Sequence, residues 1–338
     1  MPDLSLDGNV QVQKYEVNWH ESMQQTYEFY IVDPSTWKDV KLLNEVESCT
    51  ITRDASVQTL GSASFNVGES LDECYVRVYL VVIQNGFTSK FPLGTYLVQT
   101  PAAEFDGKQK KYSIDAYTPL MELKESYPPI GYSVQKGTQI MPLACNIFRE
   151  HMRAPIISAK NKEKLYSNFV ANLDDTWLSF LSDLVANAKY QIKLDELGQV
   201  VFEPIVADES LRPVKEFNDD NSSILLPSIK DDRDLYGIPN VVEVVYSTDK
   251  LHLYSRVVNS DPNSPISTVV RGREIVHRDS SPKFSGTPTQ DLVDKYADQL
   301  LKSLSCLEHT VTFTHSYYPV RVGDAVMLNW YYVKKKDS

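Results

Sequence analysis

The sequence predicts an α+β fold that is mainly β, with two strand-rich units flanking a small α+β lobe. Three observations predict it. Strand-like runs with period-two alternation fill both ends of the chain. Tight-turn dipeptides separate those runs. Apolar residues at helical spacing occur in the middle and again near the end. Abundant rings, 20 Tyr and 12 Phe, point the same way, because broad side chains pack well on a pleated surface. The length of 338 residues allows roughly two or three domains.

Residues 1–125 read as a strand-rich meander, open or closed into a barrel. In SASFNV, Ala63, Phe65 and Val67 alternate with small polar residues, the pattern of a half-buried strand. Asn85-Gly86 sits between two strand-like runs, and Asn-Gly favours the positive φ values of a type I′ hairpin turn. Asp106-Gly107 marks a second hairpin, with Tyr112, Ile114 and Ala116 alternating on the return strand. Thr118-Pro119 then starts a short helical turn.

Residues 126–205 read as the mixed lobe. YPPIGY breaks the chain, and QIMPLACNIFREHM follows as a helix. A second helix carries Trp177, Phe180, Leu181, Leu184, Val185 and Ala188 on one face, with Asp174 or Asp175 as its cap. YQIKLDELGQVVFEP reads as a hairpin turning near Gly198.

Residues 206–338 return to a strand-rich pattern. NVVEVVYSTDKLHLYSRVV gives two strands about a Thr-Asp-Lys connection, and GREIVHR gives another, placing Arg271–Arg278 on a strand. A helix over 288–304 packs on this unit through Leu292, Val293, Tyr296, Leu300, Leu301 and Leu304. Thr287 caps it, Pro288 takes the first position and Gln290 completes a capping box. Two more strands follow His309. The closing Lys-Lys-Lys-Asp-Ser leaves the last strand without a following partner, so the natural protein is expected to continue past Ser338.

Charge limits the function. The net charge of −11 includes no basic stripe, which argues against tight nucleic-acid binding and against an anionic membrane surface. The N-terminus lacks a signal peptide, and the longest apolar stretch, near Tyr79–Ile83, is too short to span a bilayer. Four cysteines, Cys49, Cys74, Cys145 and Cys306, lie far apart and read as buried thiols in a reducing compartment. A soluble chain made in a cytoplasm is expected.

No catalytic, cofactor or metal site is predicted. His277-Arg278-Asp279 matches a kinase triplet, but Phe284 stands where the second magnesium needs Asn, and the companion motifs are missing. His309 and His315 share one strand face with Val311 and Phe313 between them, which reads as packing rather than a metal site. Asp174-Asp175, Asp219-Asp220 and the KDDRD run read as caps and solvated turns rather than a glycosidase pair. Arg271, Arg273 and Arg278 leave two readings open: a solvated strand face, or a planar-fork grip on an acidic neighbour.

Two stretches carry a resemblance. ITRDASVQTLGSASFNV and NVVEVVYSTDKLHLYSRVVNSDPNSPISTVVRGREIVHRD resemble tail proteins of bacteriophages that infect Gram-positive bacteria. The order of units, ending in PVRVGDAVML, is similar to baseplate hub proteins, which are related to the hubs of contractile injection systems. The resemblance implies two tail-tube-like barrels per chain and a homotrimer that forms a pseudo-sixfold ring. It implies the tail tube or distal tail proteins and a central spike or fibre protein as partners, with DNA only as passing cargo. It implies the virion tail tip as location, after assembly in the host cytoplasm. In that setting the Asn259–Pro265 loop, with Asn259 and Asp261, and the Arg271–Arg278 segment are expected to contact a neighbouring subunit or another tail protein. Such hubs usually add strands after the Gly-Asp turn, so this chain's end at Ser338 is a departure. The alternatives are a tail-associated cell-wall hydrolase and a carbohydrate-binding module.

Overall fold

The structure is a computed structural model. It describes residues 17–330 apart from 106, 108–109, 207–210, 221–224, 249–250, 281, 283–287 and 306–308. The described residues form two units. The larger holds those up to 220 and from Tyr317 on, and the smaller holds Leu225–Ser316.

In chain order the larger unit begins with β1 (Gln24–Asp33), β2 (Lys38–Leu43), β3 (Val46–Arg53), β4 (Gly61–Val67), β5 (Tyr75–Gln84), β6 (Phe87–Phe105) and β7 (Lys110–Tyr117). Next come α1 (Met121–Lys124), β8 (Ser133–Val134), α2 (Ile140–His151), β9 (Ile156–Ile157), β10 (Phe169–Val170) and α3 (Trp177–Ala186). A hairpin of β11 (Tyr190–Leu194) and β12 (Val200–Pro204) precedes β13 (Lys215–Asn218). The smaller unit holds β14 (Leu225–Arg233), β15 (Val241–Thr248), β16 (Leu251–Val258), α4 (Thr268–Arg271), β17 (Val276–Asp279), α5 (Gln290–Leu304) and β18 (His309–His315). The chain returns to the larger unit with β19 (Val326–Asn329), parallel to β13.

The first seven strands make one sheet in the order β2-β1-β5-β6-β7-β4-β3. Its turns follow the predicted chemistry. Gln84 pairs with Phe87, and both residues between them lie at positive φ, Asn85 at 53° and Gly86 at 80°. Gly107 also has positive φ; Asp106 lies outside the described residues. β4 alternates as expected, with Ala63, Phe65 and Val67 buried.

Residues from all seven strands share a single core, including Phe29, Leu43, Ile51, Phe65, Leu80, Val98 and Ile114. A flat sheet cannot point seven strands at one centre, so this sheet curls. Among the described residues β2 and β3 are not paired with each other, and backbone pairing does not close the sheet into a barrel. β5 is buried along almost its whole length. Val76, Val78, Leu80 and Val82 face the sheet's own core, while Tyr75 on its other face joins a second core.

That second core belongs to the mixed lobe. α2 and α3 bury Phe148, Phe180, Leu181 and Leu184 against β11–β12 and against Trp37, Tyr75 and Leu97 of the sheet region. α3 starts one residue later than its acidic pair implied. Thr176, not Asp174 or Asp175, is the cap, because its hydroxyl accepts the Ser179 N–H at 3.2 Å. Asp175 instead accepts the Asn172 N–H at 2.7 Å.

In the smaller unit β15 sits between β16 and β17. Val242 and Val244 of β15 pack under Val293, Ala297 and Leu301 of α5. Thr289 is the α5 cap, its hydroxyl accepting the Leu292 N–H at 3.4 Å, a contribution of about 1 kcal/mol. The predicted cap Thr287 lies outside the described residues. Gln290 is therefore the first helical residue, and its amide donates to Asp294 and to the Tyr254 carbonyl. Of the predicted stripe, Leu292 is exposed and Ala297 takes its place.

Arg271–Arg278 is not one strand. Ser267 caps a turn of helix by accepting the Val270 N–H, and Gly272 closes it at φ 63°. Only Val276–Asp279 is extended, parallel to β15.

Candidate assembly surfaces and the cleft of the larger unit

The predicted interface residues fall in four settings. Asn259 and Asp261 organise their own loop. The Asn259 amide donates to Ser264 Oγ at 3.1 Å, and its carbonyl accepts the Thr268 N–H at 2.9 Å. The Asp261 carboxylate accepts the Asn263 N–H at 2.9 Å. Arg271 is half-buried and donates to the carbonyls of Ile238 and Leu235, at 3.1 and 2.9 Å, which ties α4 to the loop before β15. Arg273 is exposed, and its side chain has no ion-pair partner among the described residues.

Arg278 belongs to a charge rung that sequence reasoning missed in part. Glu243 faces Arg256 across one ladder and Arg278 across the other. Arg278 Nε donates to Glu243 at 2.7 Å, Arg256 Nε lies 3.4 Å from the same carboxylate, and Arg256 reaches Glu274 at 2.7 Å. The hydrogen bond from Arg278 holds the Glu243 carboxyl below the usual carboxylate range. The available signal was symmetry, since Glu243 and Arg256 stand equally far from the Thr248–Leu251 turn. The rung lies on the β15 face opposite Val242 and Val244, which pack under α5.

The larger unit contains a cleft of about 630 Å³. One wall is the β11–β12 hairpin, and Arg321–Asp324 and the end of β3 contribute the others. The hairpin turn is locked in place. Asp195 Oδ1 accepts the N–H groups of Leu197 and Gln199 at 3.0 and 2.7 Å. The Leu197 carbonyl accepts from Trp37 Nε1 at 2.8 Å, Thr95 Oγ1 at 2.9 Å and Arg77 at 3.3 Å. Gly198 lies at φ 75°, and a Cβ there would meet the Thr95 side chain at 2.8 Å, so the close approach needs glycine.

Ionisable groups converge on this cleft, and the structure engages several of them. Arg321 grips both oxygens of Glu196 at 2.6 and 2.9 Å. Lys193 donates to the Val322 carbonyl at 3.1 Å. Burial pushes the Asp195 carboxyl up to about 6, against the pull of its bond from Gln199. None of the acidic pairs singled out in the sequence lines the cleft. His309 pairs with Asp231, and the His315 ring lies beside Phe313. Among the described residues no three metal-type side chains come together. Cys145 is buried and Cys49 and Cys74 are half-buried; burial raises the thiols of the latter two to about 12 and about 11. Cys306 lies outside the described residues.

No known family profile matches the chain, and no curated protein matches it. Solved structures do. A tail protein from Neisseria meningitidis MC58 superposes with a TM-score of 0.52 at 15% identity, over 85% of this chain and 79% of that one. The 43 kDa tail protein of prophage MuSo2 from Shewanella oneidensis gives 0.56 at 10% identity, over 87% of this chain and 83% of that one. The chain has the fold of phage tail proteins. The mainly β, α+β class read from the sequence is thereby borne out. At such identities the likeness concerns the fold.

Proposed function

We propose that the chain is a structural protein of a phage tail, and specifically a hub at the tail tip. Three copies form a pseudo-sixfold ring that joins the tail tube or distal tail proteins to a central spike or fibre. The carrying observation is the fold shared with two tail proteins over more than four fifths of this chain.

Open sheet edges support the reading. β2 and β3 end the first sheet, and β16 and β17 end the smaller one. On β2, Val40 and Leu42 are 63% and 40% exposed. Unpaired edges of this kind invite pairing, and a ring supplies a neighbour for each. In this reading the tube-like barrels are completed between subunits. The net charge of −11 suits a conduit, because an acidic wall repels phosphate and gives DNA no counterion-release gain. The reading needs no catalytic group, no cofactor and no membrane anchor; no described helix is long and apolar enough to cross a membrane.

The Arg271–Arg278 segment is assigned to the subunit contact. Arg273 is the clean probe, since Arg271 also holds the loop before β15. Arg273→Glu is expected to lower the fraction of trimer in light scattering at equal concentration, with the melting temperature unchanged. An unchanged mass distribution contradicts the assignment.

A further inference from the structure

The hairpin wall of the cleft carries an unused backbone edge. The Ile205 N–H donates to the Lys189 carbonyl at 2.9 Å, and the Asp195 N–H donates to the Gln199 carbonyl at 3.0 Å. Antiparallel partners alternate between pairs that exchange hydrogen bonds and pairs that do not. In the register Tyr190↔Pro204 to Leu194↔Val200, the bonded pairs are therefore Gln191–Glu203 and Lys193–Val201. The N–H and C=O groups of Ile192 and Leu194 point away from β12. β11 ends its sheet, and among the described residues nothing bonds to these groups. Both residues are half-buried, and both line the cleft. A half-buried backbone without partners is costly, and an added strand is a direct remedy.

The charges say what kind of strand fits. Four carboxylates line the cleft, Asp195, Glu196, Glu203 and Asp324, against three cations, Arg53, Lys193 and Arg321. Arg53 and Lys193 are turned onto the carbonyls of Leu93 and Val322, and Arg321 is held by Glu196. Glu203 is exposed and has no ion-pair partner among the described residues. The surplus is negative, as it is over the whole chain at −11. That balance favours a basic occupant and disfavours a second copy of this chain.

We infer that the cleft receives an extended, basic segment of another polypeptide, which adds as a strand to the free edge of β11. The inference stands apart from ring formation. The intact chain is panned against a displayed library of random peptides, and a selected peptide is synthesised and titrated. Lys- and Arg-rich sequences are expected, with affinity that falls as salt rises. Binding is expected to slow amide exchange at Ile192 and Leu194. Ile192→Pro removes only an outward N–H and spares the bonds to β12. It is expected to weaken binding about tenfold while Ile192→Val binds like the parent. Circular dichroism checks the fold of the proline variant. Should it not fold, Glu203→Lys, an exposed charge reversal, is expected to weaken the basic peptide about tenfold. The inference is overturned if no peptide is selected, or if Ile192 and Leu194 exchange as before. It also fails if the protein alone doubles in mass with those amides protected, which would seat a second copy on the edge.

Discussion

Replacing Arg77 by Leu is expected to lower the stability of the larger unit by about 3–5 kcal/mol, the cost of breaking a buried charge network at one partner. Arg77 is 4% exposed, inside the curled sheet's lobe-facing side. Its guanidinium donates to Thr95 Oγ1 at 2.9 Å, to Asp39 at 2.8 Å, and to the carbonyls of Trp37 and Leu197 at 3.3 Å. Leucine removes all four bonds at once: the Asp39 carboxylate keeps only the Tyr79 hydroxyl, at 2.6 Å, while the Leu197 carbonyl keeps Trp37 Nε1 and Thr95 Oγ1. Lys cannot reproduce the planar fork, so Arg77→Lys is expected to recover little. Urea unfolding followed by tryptophan fluorescence reads the change, since Trp37 lies against the guanidinium. A loss below about 1 kcal/mol, the worth of an exposed pair, contradicts this account of the network.

Asp195→Asn is expected to act in the opposite direction. Burial raises this carboxyl to about 6 in the folded chain, from an ordinary 3.8. Folding therefore favours the protonated form. The stabilisation is complete below pH 3.8 and is lost as pH rises through about 6. Holding the ionised group at neutral pH costs at most about 3 kcal/mol. Asparagine keeps an oxygen for the Leu197 and Gln199 amides and carries no charge to desolvate. It loses only the attraction of Arg321. A gain of about 1–2 kcal/mol at pH 7.5, shrinking toward zero near pH 4, is the expected result. A variant less stable than the parent at neutral pH would show that the carboxylate is needed as a charge. The same variant tests the hydrolase alternative. A clearing band in a cell-wall zymogram that the substitution abolishes would make the cleft catalytic.

The first sheet was legible because its signals are local. Asn85-Gly86 fixes a turn, and the Ala63, Phe65, Val67 alternation fixes a face, with no help from distant residues. Helix positions were legible for the same reason, through the spacing of Trp177 to Val185 and of Val293 to Leu301. The α3 cap moved from Asp174 or Asp175 to Thr176, and Thr289 caps α5, because several hydroxyls and carboxylates compete within one turn. The cleft was not legible. It joins Arg53, Asp195 and Arg321, which no period connects, and its key acceptor is the carbonyl of Leu197, a group every residue possesses. Arg77 reads in sequence as an interruption of the apolar run VRVYLVVI. Only the folded chain shows that its fork meets four acceptors.

The central claim is that sheet-built modules at both ends of one chain let three copies imitate six. Imaging the purified protein across a concentration series, with rotational averaging left free, tests it most directly. The account predicts a threefold ring whose inner rim repeats six times per turn. Rings of another symmetry, or particles that never close even with a tail-tube protein added, would contradict it.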